Sequence, residues 1–263
     1  MSTQTTPSQA EPVLRATQVA KYFGGLTALD NVDFEVYPGE VVALLGDNGA
    51  GKSTLIKCIS GVYKPDAGLI EFDGTDITHL TPAAVRDAGI ETIYQDLALA
   101  ENLDVGANVF LGKEKTKRFA GVIPVTDDDY MRAEASKAVK RLDIVIPSLK
   151  QKLVSLSGGQ RQAVAIARAL YWDARLVIMD EPTAALGVPE QRKVLAMVRL
   201  LRDQGVPVII ISHNMQDVLE VADRFVVMLR GSINANVPRS EVTTEKLISY
   251  IMGAEGDAVR NGV

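Results

Sequence analysis

Eight residues, Gly46, Asp47, Asn48, Gly49, Ala50, Gly51, Lys52 and Ser53, with Thr54 following, carry the spacing G-x-x-x-x-G-K-S/T between an apolar run, EVVALL, and a helix-period segment. The three glycines free the backbone to curl until its N–H groups point inward at phosphate oxygens, and the helix that follows adds its positive dipole end. Lys52 is placed to neutralise β- and γ-phosphate oxygens, and Ser53 to ligate Mg2+. RLVIMDEP, at 175–182, is an apolar strand with two carboxylates at the edge where open α/β sheets bind ligands. Asp180 there suits Mg2+, held through water, and Glu181 suits orienting and deprotonating a water that attacks a γ-phosphate. An acidic pair ending a strand is by itself commonly a solvated turn or a helix cap. The loop before it gives the pair its meaning.

LSGGQ at 156–160 reads first as a helix start, with Ser157 and Gln160 at capping-box spacing before RQAVAIARAL. Capping does not explain Gly158 and Gly159, poor helix formers whose missing side chains would let a phosphate approach the helix N-terminus. His213 ends the run VPVIII on the same sheet edge as Asp180. A lone histidine is more often structural than catalytic, so a γ-phosphate role for His213 rests on its company. Gln95, in ETIYQDLAL, reads alone as an ordinary polar residue. Two histidines and one cysteine make no zinc cluster.

Positioning these groups requires a scaffold, and its strands are legible as Val- and Ile-rich runs at 40–45, 175–179, 206–211 and 224–229. Helix-period segments follow the first three, at 53–62, 189–204 and 214–222, the alternation that builds a parallel sheet in an α/β core. Before the core, VLRATQVAKYF and ALDNVDFEVY alternate apolar with polar residues and suggest antiparallel strands on one sheet edge. From about 96 to 172 the alternation stops, and Met131, Ala135, Ala138 and Leu142 recur at helical spacing behind a capping box formed by Thr126 and Asp129. This predicts a mainly helical subdomain inserted in a domain spanning 12–253, with polar tails at 1–11 and 254–263. The basic cluster KEKTKR, at 113–118, reads as a solvated loop.

The chain has 263 residues, 28 basic and 33 acidic, and a net charge of −5. That balance offers no diffuse attraction to nucleic acid. The single Cys58 excludes an internal disulfide. No apolar run reaches the length of a membrane span, and the first twelve residues do not read as a secretion signal.

Taken in order, the loop at 46–54, Gln95, LSGGQ at 156–160, the carboxylate strand at 176–181 and His213 resemble the ATP-binding cassette family over about residues 12–253. The resemblance implies the family's P-loop ATPase core, with ATP and Mg2+ as cofactors, Gln95 as a Q-loop that touches the metal and the reaction, and Glu181, His213 and Lys52 in hydrolysis. It implies that Tyr22, in VAKYFGGLTALDNV, stacks on adenine; an edge-strand aromatic packed on the sheet explains Tyr22 equally. It also implies two cassettes facing head to tail, as a homodimer or with a related subunit, each ATP lying between Lys52 of one chain and residues 157–160 of the other. The helical subdomain and Q-loop would then receive an integral membrane permease, with a periplasmic sugar-binding protein acting indirectly. A peripheral place on the cytoplasmic face of the inner membrane is implied as well. GDNGAGKSTLIKCISG, ETIYQDLALAENLDV and MDEPTAALGV look like monosaccharide importers of the fructose or ribose type, most like single-cassette fructose-type subunits. An exporter, a non-sugar importer and a soluble cassette acting on nucleic acid or ribosomes are the alternatives. Those soluble cassettes usually carry a long coiled coil or a second cassette, and this sequence shows neither. One departure is Gly187, where most cassettes have an aspartate that communicates between facing sites.

Overall fold

The computed structural model describes residues 11–119, 122–142, 145–184 and 186–253. The expected tails therefore lie outside it, apart from Glu11. Alternation along the N-terminal segments gives β1 (Leu14–Phe23) and β2 (Leu26–Val36), paired antiparallel. The first Val-rich run forms β3 (Val41–Leu45), with all five residues buried, and leads through the glycine loop into α1 (Lys52–Ile59). Next come β4 (Ala67–Phe72), β5 (Thr75–Asp76), α2 (Pro82–Asp87) and β6 (Ile90–Ile93). Instead of lying on the edge of the parallel sheet, β1 and β2 join β4 and β5 in an antiparallel sheet of order β2-β1-β4-β5.

The middle segment holds α3 (Val105–Val109), a hairpin of β7 (Thr116–Phe119) and β8 (Ile123–Thr126), α4 (Asp128–Arg141) and α5 (Gly158–Tyr171). The hairpin was not expected. It takes up Thr116 to Arg118 of the basic cluster, and its lysines are engaged within the chain. Lys117 donates to Asp127 Oδ1 at 3.0 Å, Lys113 pairs with Asp87 at 3.0 Å, and Lys113 and Lys115 both lie over the Trp172 ring. The cap of α4 is Asp127, whose carboxylate accepts from Tyr130 N, and not Thr126, which ends β8.

The chain then returns to the main sheet through β9 (Leu176–Asp180), α6 (Val188–Asp203), β10 (Val208–Ile211), α7 (Met215–Val221), β11 (Arg224–Leu229), β12 (Ser232–Pro238) and α8 (Thr244–Met252). The sheet order is β12-β11-β3-β10-β9-β6, parallel except for β12. Sequence reading missed β6 because Glu91 interrupts its apolar run; that carboxylate is buried beside Arg168, 3.3 Å away.

Alternate faces of the sheet feed two cores, because neighbouring strand residues point to opposite sides. Val41, Ala43 and Leu45 pack with α5 and α6, whereas Val42 and Leu44 pack with α1 and the antiparallel sheet. A third, smaller cluster binds α3, α4 and α5 through Val105, Val109, Phe110, Met131, Ala135 and Val164. α5 belongs to both the helical cluster and the main core. Among the described residues no helix is long and apolar enough to cross a membrane.

Candidate functional site

The loop between β3 and α1 has left-handed glycines at Gly46 (φ 142°), Gly49 (φ 81°) and Gly51 (φ 107°). At Gly46 a Cβ would stand 2.4 Å from the Met228 carbonyl oxygen, and at Gly51 2.8 Å from that of Ala28. Only glycine allows this curl and this close approach. Lys52 Nζ donates to the carbonyls of Gly46 at 2.7 Å and Asp47 at 3.0 Å, which spans the loop. Its half-burial pushes its pKa down, while the charges of Glu181, Asp47 and Asp180 push it back up. Ser53 is exposed at the second position of α1.

Beside the loop is a cavity of about 270 Å³, lined by Phe23, Leu26, Thr27 and Ala28 on one side and residues 48–54 on the other. Phe23, not Tyr22, stands on its wall. Tyr22 is 47% exposed, and its backbone N–H donates to Asp66 Oδ2 at 2.7 Å. The Phe23 ring is held edge-on against Tyr63, with centroids 5.3 Å apart. Simple alternation along β1 does not find Phe23, because the β1–β2 register shifts between Ala16 and Tyr22 and Gln18 is left-handed (φ 48°).

Asp180 ends β9, paired in register with Ile211 of β10, and Glu181 follows with φ 52°. That left-handed turn is costly for a glutamate. It is held by Glu181 N donating to Ile211 O at 2.8 Å and by Ala184 N donating to Glu181 O at 3.1 Å. The Glu181 side chain is 9% exposed, and its Oε1 lies 2.9 Å from Nδ1 of the exposed His213. The pair lacks hydrogen-bond alignment, so Oε1 has no donor among the described residues. Burial pushes both carboxyl groups above the usual range; His213 and Lys52 oppose this at Glu181, and Lys52 and then His213 oppose it at Asp180. A buried acceptor without a donor, close to an imidazole, is suited to accept a proton from a bound water. Lys52, Asp180, Glu181 and His213 thus meet at one sheet edge.

Glu181 also lines a cavity of about 410 Å³ with Gln95, Gly158, Gln162 and Leu186. Buried Gln162 Nε2 has no acceptor among the described residues. It was missed in the sequence, where it reads as one more polar residue of α5. The start of α5 has both halves of the capping box: Ser157 Oγ accepts from Gln160 N at 3.3 Å, and Ser157 N donates to Gln160 Oε1 at 3.0 Å. Residues 157–160 contribute nothing to the cavity lined by residues 48–54 of the same chain.

A glycine loop that ends a buried parallel strand, a carboxylate two strands away and a second glycine-rich helix start are together a nucleotide site. The residue pattern of the ABC transporter family matches residues 29–184, more than half of the chain. The chain belongs to the ABC transporter family. It is an ATP-binding cassette. It is 48% identical over 245 residues to the xylose/arabinose import ATP-binding protein XylG of Sulfolobus acidocaldarius, covering 92% of this chain and 96% of that protein. It is 43% identical over 250 residues to the fructose import ATP-binding protein FrcA of Rhizobium meliloti, covering 93% and 95%. Among solved structures, the ADP conformation of the cassette MJ1267 superposes with a TM-score of 0.78 at 30% identity, covering 97% of this cassette and 100% of that chain. The dimeric bacterial ABC transporter cassette MJ0796 superposes with a TM-score of 0.72 at 25% identity, covering 86% and 98%.

Proposed function

We propose that this cassette is the ATP-hydrolysing, energy-coupling subunit of an importer for a monosaccharide, with Glu181 as the base. The observation that carries the chemistry is the Glu181 carboxylate turned inward on a left-handed backbone, 2.9 Å from His213 and beside Lys52 and Asp180. Lys52 and the loop N–H groups bind the β- and γ-phosphates. Phe23 offers a ring at the cavity wall for the base. Glu181 orients the attacking water and takes its proton, while His213 stands at the same oxygen and at the γ-phosphate position.

The donor set fits Mg2+: the Ser53 hydroxyl, the Asp180 carboxylate and the Gln95 carboxamide are hard oxygen ligands, and no larger cage of His, Cys, Asp or Glu is present among the described residues. When bound, Mg2+ neutralises phosphate charge. Residues 157–160 lie outside their own chain's loop cavity, which supports a second cassette placed head to tail to complete each site. The dimeric form of MJ0796 is consistent with this arrangement.

The sugar assignment rests on XylG and FrcA, import ATP-binding proteins that the chain matches over nearly their whole length. Import requires a membrane permease, and the cassette then sits peripherally on the cytoplasmic face of the membrane. A groove of about 370 Å³ between α2 and the helical segment, lined by Pro82, Val85, Ile90, Ala98 and Leu111, is the place we assign to it. Ala98 is exposed there, and Leu103 is half-buried. The test is reconstitution of the chain in liposomes with a monosaccharide-type permease and its periplasmic binding protein. Sugar-stimulated ATP hydrolysis and uptake of labelled pentose or fructose are expected. Hydrolysis indifferent to every sugar but stimulated by a non-sugar cargo system would overturn the reading.

A further inference from the structure

The first turn of α6 touches two parts of the site at once. Glu190 lays its stem on the second glycine of the α5 start: a Cβ on Gly159 would stand 3.0 Å from Glu190 Cγ and 3.1 Å from Glu190 Cβ. Its carboxylate turns back over the helix start, with Oε2 2.9 Å from where a Cβ on Gly187 would be. The neighbouring Gln191 Nε2 donates to Leu186 O at 3.1 Å and Thr183 O at 3.5 Å, in the short segment that begins at Glu181. Gly187, the N-cap of α6, supplies no side-chain cap. An aspartate in its place would crowd the position that the Glu190 carboxylate now holds.

We infer that Glu190 is a positioning residue that relays phosphate occupancy at the α5 start to the loop carrying Glu181, and that glycine at 187 leaves room for its carboxylate. The inference rests on the head-to-tail reading, in which the phosphate at Gly158 and Gly159 comes from the facing chain. That phosphate is anionic, and the nearest side chain lying on Gly159 ends in a carboxylate. Like charges brought close together on a partly buried surface repel appreciably. The displaced carboxylate moves the first turn of α6, and the Gln191 bonds carry that movement to Thr183 and Leu186. A bland role also exists, because an acid in the first turn favours any helix. That role predicts a loss of stability, whereas the relay predicts a loss of turnover.

The experiment compares Glu190→Gln, Glu190→Ala and the double variant Gly187→Asp/Glu190→Ala in the purified full-length chain. The readouts are kcat, KM for ATP, ATP affinity and Tm. Site-to-site couplings of ordinary size amount to about 5- to 150-fold. Glu190→Gln keeps the stem on Gly159 and should lower kcat about tenfold, with Tm unchanged and ATP affinity level or higher because the repulsion is gone. The double variant, which returns a carboxylate to the helix start from position 187, should recover part of the loss seen in Glu190→Ala. Wild-type kcat in Glu190→Gln overturns the relay, and so does a fall in Tm that tracks the fall in activity. A double variant no faster than Glu190→Ala overturns the part assigned to Gly187. Ser157→Arg is assayed alongside: if it leaves hydrolysis intact, the head-to-tail reading fails first, and the relay fails with it.

Discussion

Replacing Glu181 by glutamine changes one atom type at the place where the proton is expected to go. A positioned general base contributes about 10² to 10⁴ in rate, which at about 1.4 kcal/mol per decade is roughly 2.7 to 5.5 kcal/mol of transition-state stabilisation. Glu181→Gln should therefore lower kcat by that factor. ATP affinity should hold, because the phosphate contacts come from Lys52 and the glycine loop. Stability has a definite sign as well. Burial raises the carboxyl pKa above its ordinary value, so ionisation costs the folded state free energy. That cost is absent below the unfolded pKa and fully present above the folded one. At neutral pH the amide avoids it, and Tm should stay level or rise. In the nucleotide-free protein this burial cost therefore disappears as pH falls through the raised carboxyl pKa, and the stability gained by the amide disappears with it. Single-turnover hydrolysis, nucleotide titration and a melting curve on the same preparation check all of these points. Turnover near the wild-type rate, with ATP bound, would refute the assignment of Glu181 as base. Lost activity with a lower Tm would mean that the residue holds the loop and does not do chemistry.

Two further outcomes follow from side chains already described. Phe23→Ala should weaken ATP binding by about 5- to 150-fold, in line with about 1–3 kcal/mol for a stacked base, while Tyr22→Ala leaves it within twofold; the reverse order in a fluorescent-nucleotide titration would return the stacking role to Tyr22. Asn108, fully buried, accepts from Ala100 N at 2.7 Å and donates to Ala100 O and Asp104 O at 3.0 and 2.9 Å; Asn108→Ala should cost about 2–4 kcal/mol from orphaned buried partners, read by denaturant unfolding, and a loss under 1 kcal/mol would show that water replaces the amide.

Features set by contiguous residues were readable from the sequence. The loop at 46–54 and the Ser157–Gln160 capping box are such cases, because each is built within one turn of chain and its residue types admit few other geometries. The four Val-rich strands were readable because burial on both faces leaves little choice of composition. What escaped depends on distant partners. β6 has four residues, and its Glu91 is tolerable only because Arg168 arrives from α5. β7 and β8 pair with each other alone; Lys117 of β7 is spent on Asp127, and Lys113 and Lys115 just before it on Asp87 and Trp172. Asp127 displaced Thr126 as cap because Thr126 is the last residue of β8, a strand that the pattern did not suggest. Phe23 was hidden by the register shifts in β1, which only the pairing with β2 discloses.

Those register shifts give the Tyr22–Phe23 doublet a tolerance of its own. A one-residue slip in a strand exchanges its two faces, and in most strands that would swap a ring for a polar side chain. Here the neighbour is also aromatic. A deletion or insertion near Gln18 that slipped the end of β1 past β2 would turn Phe23 away from the cavity and bring Tyr22 round to it, so the chain holds a second ring for such a slip. Length changes in the segment between Ala16 and Lys21 should therefore be forgiven more readily than the substitution of either ring alone would suggest.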